Sequence, residues 1–217
     1  MTRENAGLFD ETSFNKIEVR GPGALAFLNY VCANDIDQPV GSVVYTECLN
    51  KRGGIECDFT VTRLAEERFL IITGTAFGQH DISWLRLNMP EDGSVAIEDV
   101  GSLYACIGLW GPKARKILQK VTEVDLSNEA FSYMTARNIT VGDVPVVAMR
   151  VTYVGELGWE FYCPMEYGLR LWDITAGGLI IECAGGEFWH EPIPGRDAYR
   201  IIANNGRLRR QLEKLAG

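Results

Sequence analysis

Residues 55–62 alternate without a break: Ile55, Cys57, Phe59 and Val61 are apolar, while Glu56, Asp58, Thr60 and Thr62 are polar. A period of two is that of a strand with one face on a core. Asn50-Lys51-Arg52-Gly53-Gly54 precedes it, and before that lies a second strand-like run over 43–49, so the stretch predicts a hairpin. Closing Leu49 against Gly54 places Tyr45 directly opposite Asp58 on the polar face. Cross-strand partners stand about 5 Å apart, near enough to build one site. The pattern recurs in residues 151–163, VTYVGELGWEFYC. Gly155 and Gly158 bracket a turn, and closing Val154 against Trp159 sets Tyr153 opposite Glu160. Two readings of each pair stand at this stage: one half of a binding site, or a tyrosine hydroxyl bonded to a carboxylate as ordinary sheet decoration.

The remaining patterning predicts a half-exposed strand over 16–20 and a helix from Gly23 to about Ala33. Strands follow at 55–64, 68–73 and 94–100, with a helix from Ala76 to about Leu87 between the last two. Further strands are expected near 103–109, 137–141, 144–152 and 159–163, then a helix at 165–176. Hairpin-linked strands dominate and few helices intervene, so the predicted class is α+β with antiparallel, hairpin-rich sheets and a few packed helices. IEVRGPGALAFLNYV and IGLWGPKARKILQKV share a strand, a Gly-Pro and a helix start, about 90 residues apart, which suggests two related units. Gly21-Pro22-Gly23-Ala24-Leu25-Ala26 also fits a relaxed dinucleotide fingerprint. The strand before it alternates, however, and the second copy keeps only Gly-Pro, so no nucleotide site is assigned.

Composition narrows the class. The chain has 217 residues, 47% of them hydrophobic and 23% charged, enough for a sizeable core. No window approaches a membrane span, and the polar start MTRENAGLFDETS lacks an apolar leader. A cytoplasmic location is therefore expected, an organelle matrix being the alternative. The six cysteines show no metal-type spacing and read as buried reduced thiols, and two histidines give a His-based metal site little to work with. The net charge of −8 is uneven. Residues 196–217 carry six basic and two acidic side chains, which leaves 15 basic against 27 acidic before them, a net of −12. A body so acidic repels phosphate backbones, so no nucleic-acid partner is expected.

With these elements placed, three blocks of sequence resemble a known family. GLFDETSFNKIEVRGPGALAFLNYVCANDI, GSVVYTECLNKRGGIECDFTVTRL and RVTYVGELGWEFYCP are similar to the glycine-cleavage T-protein (aminomethyltransferase) family. The likeness is nearest to the C-terminal folate-binding half of sarcosine and dimethylglycine dehydrogenases, and FLIITGTAFGQHDISWL resembles that branch too. The resemblance implies tetrahydrofolate binding and one-carbon transfer from a small amine-derived donor. It implies that Tyr45, Asp58, Tyr153 and Glu160 hold the cofactor, the four positions already paired by the hairpins. A pterin presents a ring N–H and an amino group side by side, which one carboxylate can accept together; Glu160 is assigned that part. Tyr45 and Tyr153 would wall the ring. Asp58, the catalytic candidate, would take a proton near the reacting nitrogens or stabilise a cationic iminium, and the sequence leaves both roles open.

The likeness covers residues 6–177 and fades after about Gly178. Residues 1–177 are therefore read as the folate-binding region and 178–217 as a divergent basic tail, with the family's C-terminal barrel-like domain expected to be absent. That reading leaves open a homo-oligomer formed through the uncovered surface. It also leaves open a flavin-dependent dehydrogenase partner on a separate chain. The alternative function is a folate-binding module without turnover, or an inactive fragment.

Overall fold

The computed structural model describes the backbone of residues 2–183, 187–192 and 199–204, and side chains as far as residue 177. The chain runs β1 (Gly7–Asp10), β2 (Asn15–Arg20), α1 (Ala24–Val31), β3 (Val43–Leu49), β4 (Ile55–Ala65), β5 (Arg68–Thr73), α2 (Gly78–Leu87) and β6 (Ala96–Asp99). It continues through β7 (Tyr104–Trp110), α3 (Ala114–Leu118), β8 (Ala136–Val141), β9 (Val144–Met149), β10 (Gly158–Pro164), α4 (Gly168–Cys183), β11 (Glu187–Pro192) and β12 (Tyr199–Asn204). Helix α4 follows a single 3-10 turn at Met165–Tyr167, so it starts three residues later than the pattern predicts and runs past residue 177.

Two five-stranded antiparallel sheets carry the fold, in the orders β3-β4-β5-β2-β6 and β8-β9-β10-β7-β1. The orders correspond strand for strand. Each unit is a strand, a glycine at positive φ, a helix, a three-strand meander and another helix; Gly21 has φ 121° and Gly111 φ 134°. The Gly-Pro echo in the sequence thus marks a structural repeat. The edge strands are exchanged between units: β1 leads into β2 yet pairs with β7, and β6 leads towards β7 yet pairs with β2. This exchange ties the two sheets together through main-chain hydrogen bonds.

Each sheet is covered on both faces. Helices α1 and α2 pack on the first sheet through Phe27, Leu28, Ile82 and Leu85, against Ile17, Val19, Phe59 and Val61. Helices α3 and α4 pack on the second through Ile117, Leu118 and Leu171, against Ile107, Leu109, Trp159 and Phe161. Between the sheets lies a third cluster that includes Val43, Leu70, Ile72, Cys106, Met149 and Tyr162. This layer explains one departure from the pattern. The expected half-exposed strand is buried on both faces, because the opposite sheet covers its polar side. Lys16 is fully buried and donates to the Thr12 carbonyl at 2.8 Å, and Glu18 accepts from Arg68 at 2.6 Å. The five described cysteines, Cys32, Cys48, Cys57, Cys106 and Cys163, are free and buried, as expected.

Packing of β7 against β10 depends on missing side chains. A Cβ at Gly158 would fall 2.0 Å from the Leu109 carbonyl oxygen and 2.4 Å from the Trp110 ring. Backbone cannot yield as a flexible side chain can. Gly158→Ala is expected to lower unfolding free energy by at least about 3 kcal/mol, read as a shift in urea midpoint at unchanged slope. A midpoint matching wild type would contradict this packing.

Candidate functional site

The two repeats meet at a recess of about 390 Å³. Tyr45, Asp58 and Thr60 from β3 and β4 line one side, and Tyr153 and Glu160 line the other. All four side chains singled out in the sequence therefore open onto one hollow. The route by which they reach it differs from the expected one.

In the first hairpin Tyr45 pairs with Thr60, and Asp58 pairs with Glu47; a bulge between Cys48 and Leu49 alters the register. The slip is two residues, so Tyr45 and Asp58 stay on the same face as diagonal neighbours. Their contact persists: a hydrogen bond to Asp58 holds the Tyr45 phenol above its ordinary pKa. Asp58 is exposed at the end of a polar face that runs inward through Thr60 to the buried Thr62. The cost of desolvating its carboxylate therefore does not arise.

The second pairing is corrected outright. Glu160 pairs with Met149 of β9 and with Gly108 of β7, not with Tyr153. Strand β9 ends at Met149, and residues 150–157 form a loop. Tertiary bonds override the tight turn. The Trp110 indole N–H donates to the Val151 carbonyl at 2.9 Å, Arg150 donates to the Phe131 carbonyl, and its Nη2 donates to Asn128 Oδ1 at 2.7 Å. Tyr153 is carried on this loop, 77% exposed, with its ring edge-on to Phe14 at 6.1 Å between centroids. An Arg3–Glu156 ion pair at 2.7 Å closes the far end.

Glu160 lies at the floor, only 9% exposed. The Tyr162 hydroxyl donates to its Oε2 at 2.6 Å. Burial raises the Glu160 pKa, and the bond from Tyr162 opposes that rise. Behind it stands a residue the sequence pattern did not reveal. Glu11, 8% exposed, is pushed up to about 8 by burial first, then by the Glu160 and Asp10 charges. Its Oε2 is buried without a hydrogen-bond partner. At neutral pH Glu11 therefore retains its proton, which limits the negative charge gathered behind Glu160. Gly108 makes this crowding feasible, since a Cβ there would sit 3.0 Å from Glu11 Oε2.

Tyr133 and Met134 complete the wall, and no periodic pattern of hydrophobic positions marks either. Met134 is the one described non-glycine residue at positive φ, 59°, and it is held there by main-chain bonds to Val43 and Arg150. Residues in that region persist only where the surroundings impose them, commonly at ligand sites. The arrangement offers a recess with aromatic side chains in its walls, a buried carboxylate at its base and a solvated one at its mouth.

The two-repeat architecture is shared with aminomethyltransferases. Glycine cleavage system aminomethyltransferase T from Bartonella henselae superposes with a TM-score of 0.70 at 29% identity, over 81% of this chain and 46% of that one. Residues 1–178 match the GCVT N-terminal domain, and the chain belongs to that family. Dimethylglycine dehydrogenase of Rattus norvegicus is 33% identical over 171 residues, 78% of this chain and 20% of the relative. Aminomethyltransferase of Geobacillus thermodenitrificans is 36% identical over 179 residues, 81% of this chain and 48% of the relative. The chain thus spans about a fifth of the length of the first of these two curated relatives and about half of the second. No helix among the described residues is long and apolar enough to cross a membrane.

Proposed function

We propose that the recess between the repeats binds tetrahydrofolate, and that residues 1–177 are the folate-binding part of a one-carbon (aminomethyl or methylene) transferase. The observation that carries this reading is the convergence of Tyr45, Asp58, Tyr153 and Glu160 on one hollow of about 390 Å³. That volume is in the range of small-molecule sites. Glu160 accepts the pterin N–H and amino group, its carboxylate steadied by Tyr162. Tyr45 and Tyr153 offer flat faces to the ring. When bound, tetrahydrofolate supplies the nucleophilic nitrogen that accepts the one-carbon unit. Asp58, exposed at the mouth beside Tyr45, holds a proton or a positive charge close to the transferring carbon. The donor is a small amine-derived one-carbon unit. A flavin-dependent dehydrogenase partner would generate it, since dimethylglycine dehydrogenase is among the relatives.

The test is tetrahydrofolate titration by tryptophan fluorescence, followed by methylene-tetrahydrofolate formation from sarcosine or dimethylglycine with a partner dehydrogenase, read above the rate without this chain. Asp58→Asn is expected to bind within about threefold of wild type and to turn over ~10²-fold or more slowly. Saturable binding without turnover in wild type would favour a binding module over a transferase. A flat wild-type trace would remove the folate assignment.

A further inference from the structure

On the face of β4 away from the recess, Cys57 meets two residues from the first turn of α2. Cys57, His80 and Asp81 each offer one ligand atom, and these atoms lie within 4.8 Å of one another. His80 Nδ1 is 3.1 Å from Asp81 Oδ1. Metal bonds of about 2.0–2.3 Å at tetrahedral angles hold neighbouring donors roughly 3.2–3.7 Å apart, so this pair needs little adjustment.

One outer partner of the kind such a site requires is in place, and a second stands nearby. The Thr73 hydroxyl donates to Asp81 Oδ2 at 2.6 Å, which leaves Oδ1 facing His80. Glu56 Oε2 stands 3.7 Å from His80 Nε2, on the ring edge opposite the site. Cys48 pairs with Cys57 across the ladder. A hydroxyl behind a carboxylate is a contact that orients a metal ligand, and Glu56 stands close enough to accept the outer imidazole N–H after a small shift. Asp81 and Cys57 are buried while His80 is half-exposed, so an ion can enter from solvent along the imidazole. The other sulfur–carboxylate group, Glu11, Cys106 and Glu160, is buried at all three members and includes the floor of the recess, so it offers an ion no exposed ligand to enter by.

We propose that Cys57, His80 and Asp81 form a three-ligand site for a divalent transition metal of zinc type, with the fourth position open to solvent. One thiolate, one imidazole and one carboxylate match that ion better than magnesium or calcium, which want oxygen alone. Binding breaks the Cys57 S–H bond and forms a metal–sulfur bond; the proton passes to buffer and no electron is transferred.

Cobalt(II) reports the site directly, titrated into the full chain under anaerobic, reducing conditions. A thiolate-to-cobalt charge-transfer band with four-coordinate visible absorption should saturate at one equivalent and be displaced by zinc. Cys57→Ser should abolish the charge-transfer band, and His80→Ala, a change at a half-exposed side chain, should weaken binding about tenfold or more. No saturable band in wild type would overturn the proposal. So would a band unchanged in Cys57→Ser, or cobalt affinity unchanged in His80→Ala.

Discussion

Glu160→Gln is expected to weaken tetrahydrofolate binding by about 100-fold while leaving the fold intact. The amide matches the carboxylate in shape and still accepts the Tyr162 hydroxyl bond. What it loses is an acceptor: its NH₂ group then faces the two donors of the pterin edge. A hydrogen bond to a charged group is worth about 1.5–3 kcal/mol, and an opposed donor adds a desolvation cost. Near 3 kcal/mol the loss is about two orders of magnitude in Kd. Fluorescence titration reads the affinity and thermal melting controls for folding. Affinity within threefold of wild type, at unchanged melting temperature, would mean that Glu160 does not read the ligand.

Glu11→Gln is expected to stabilise the protein at alkaline pH. The folded chain keeps the Glu11 proton until about pH 8, against an ordinary value of 4.5, because of burial and the neighbouring charges of Glu160 and Asp10. Between those values the folded state binds more protons than the unfolded one. Stability therefore falls as pH rises from about 4.5, and the fall levels off above about 8. Glutamine has no proton to lose and avoids that decline. After allowing for partial solvation of the group, Glu11→Gln should exceed wild type by roughly 2–4 kcal/mol at pH 8, with the difference vanishing near pH 4. Urea midpoints at pH 4, 6 and 8 measure it. Parallel curves for the two proteins would contradict the account of the buried pair.

Much of the fold was legible because its strands carry period-two patterning that survives burial. Strands β3 and β5 fall on the expected residues, and β4 extends the expected run by one. The Gly-Pro echo correctly marked the repeat. Registers were harder to read. Tyr45 and Asp58 share a recess despite the bulge at Cys48 only because a slip of two preserves the face; a slip of one would have parted them. The Tyr153 loop departs from the tight turn that its sequence suggests because Trp110, Asn128 and Phe131, all distant from the GELG sequence, hold its entry at Arg150 and Val151. Lys16 and Glu18 look exposed in sequence, and it is the second sheet, nearly 90 residues away, that buries them.

Glu11 and the Cys57–His80–Asp81 group were invisible for a related reason. Glu11 lies just past a four-residue edge strand with no periodic signal of its own, and it meets Glu160 only through the edge exchange of β1 onto β7. Cys57 and Asp81 are brought together by α2 folding across β4. Their spacing follows no short ligand motif. Asp58, by contrast, needed no tertiary information to be suspected, since a carboxylate in an alternating strand already asks for a reason.

The most direct measurement is a structure of the chain with tetrahydrofolate bound. The account predicts the pteridine ring in the recess, its N–H and amino group within hydrogen-bonding distance of Glu160, and Asp58 beside the nitrogens that receive the one-carbon unit. A ring bound elsewhere, or seated there with Glu160 out of reach, would contradict it.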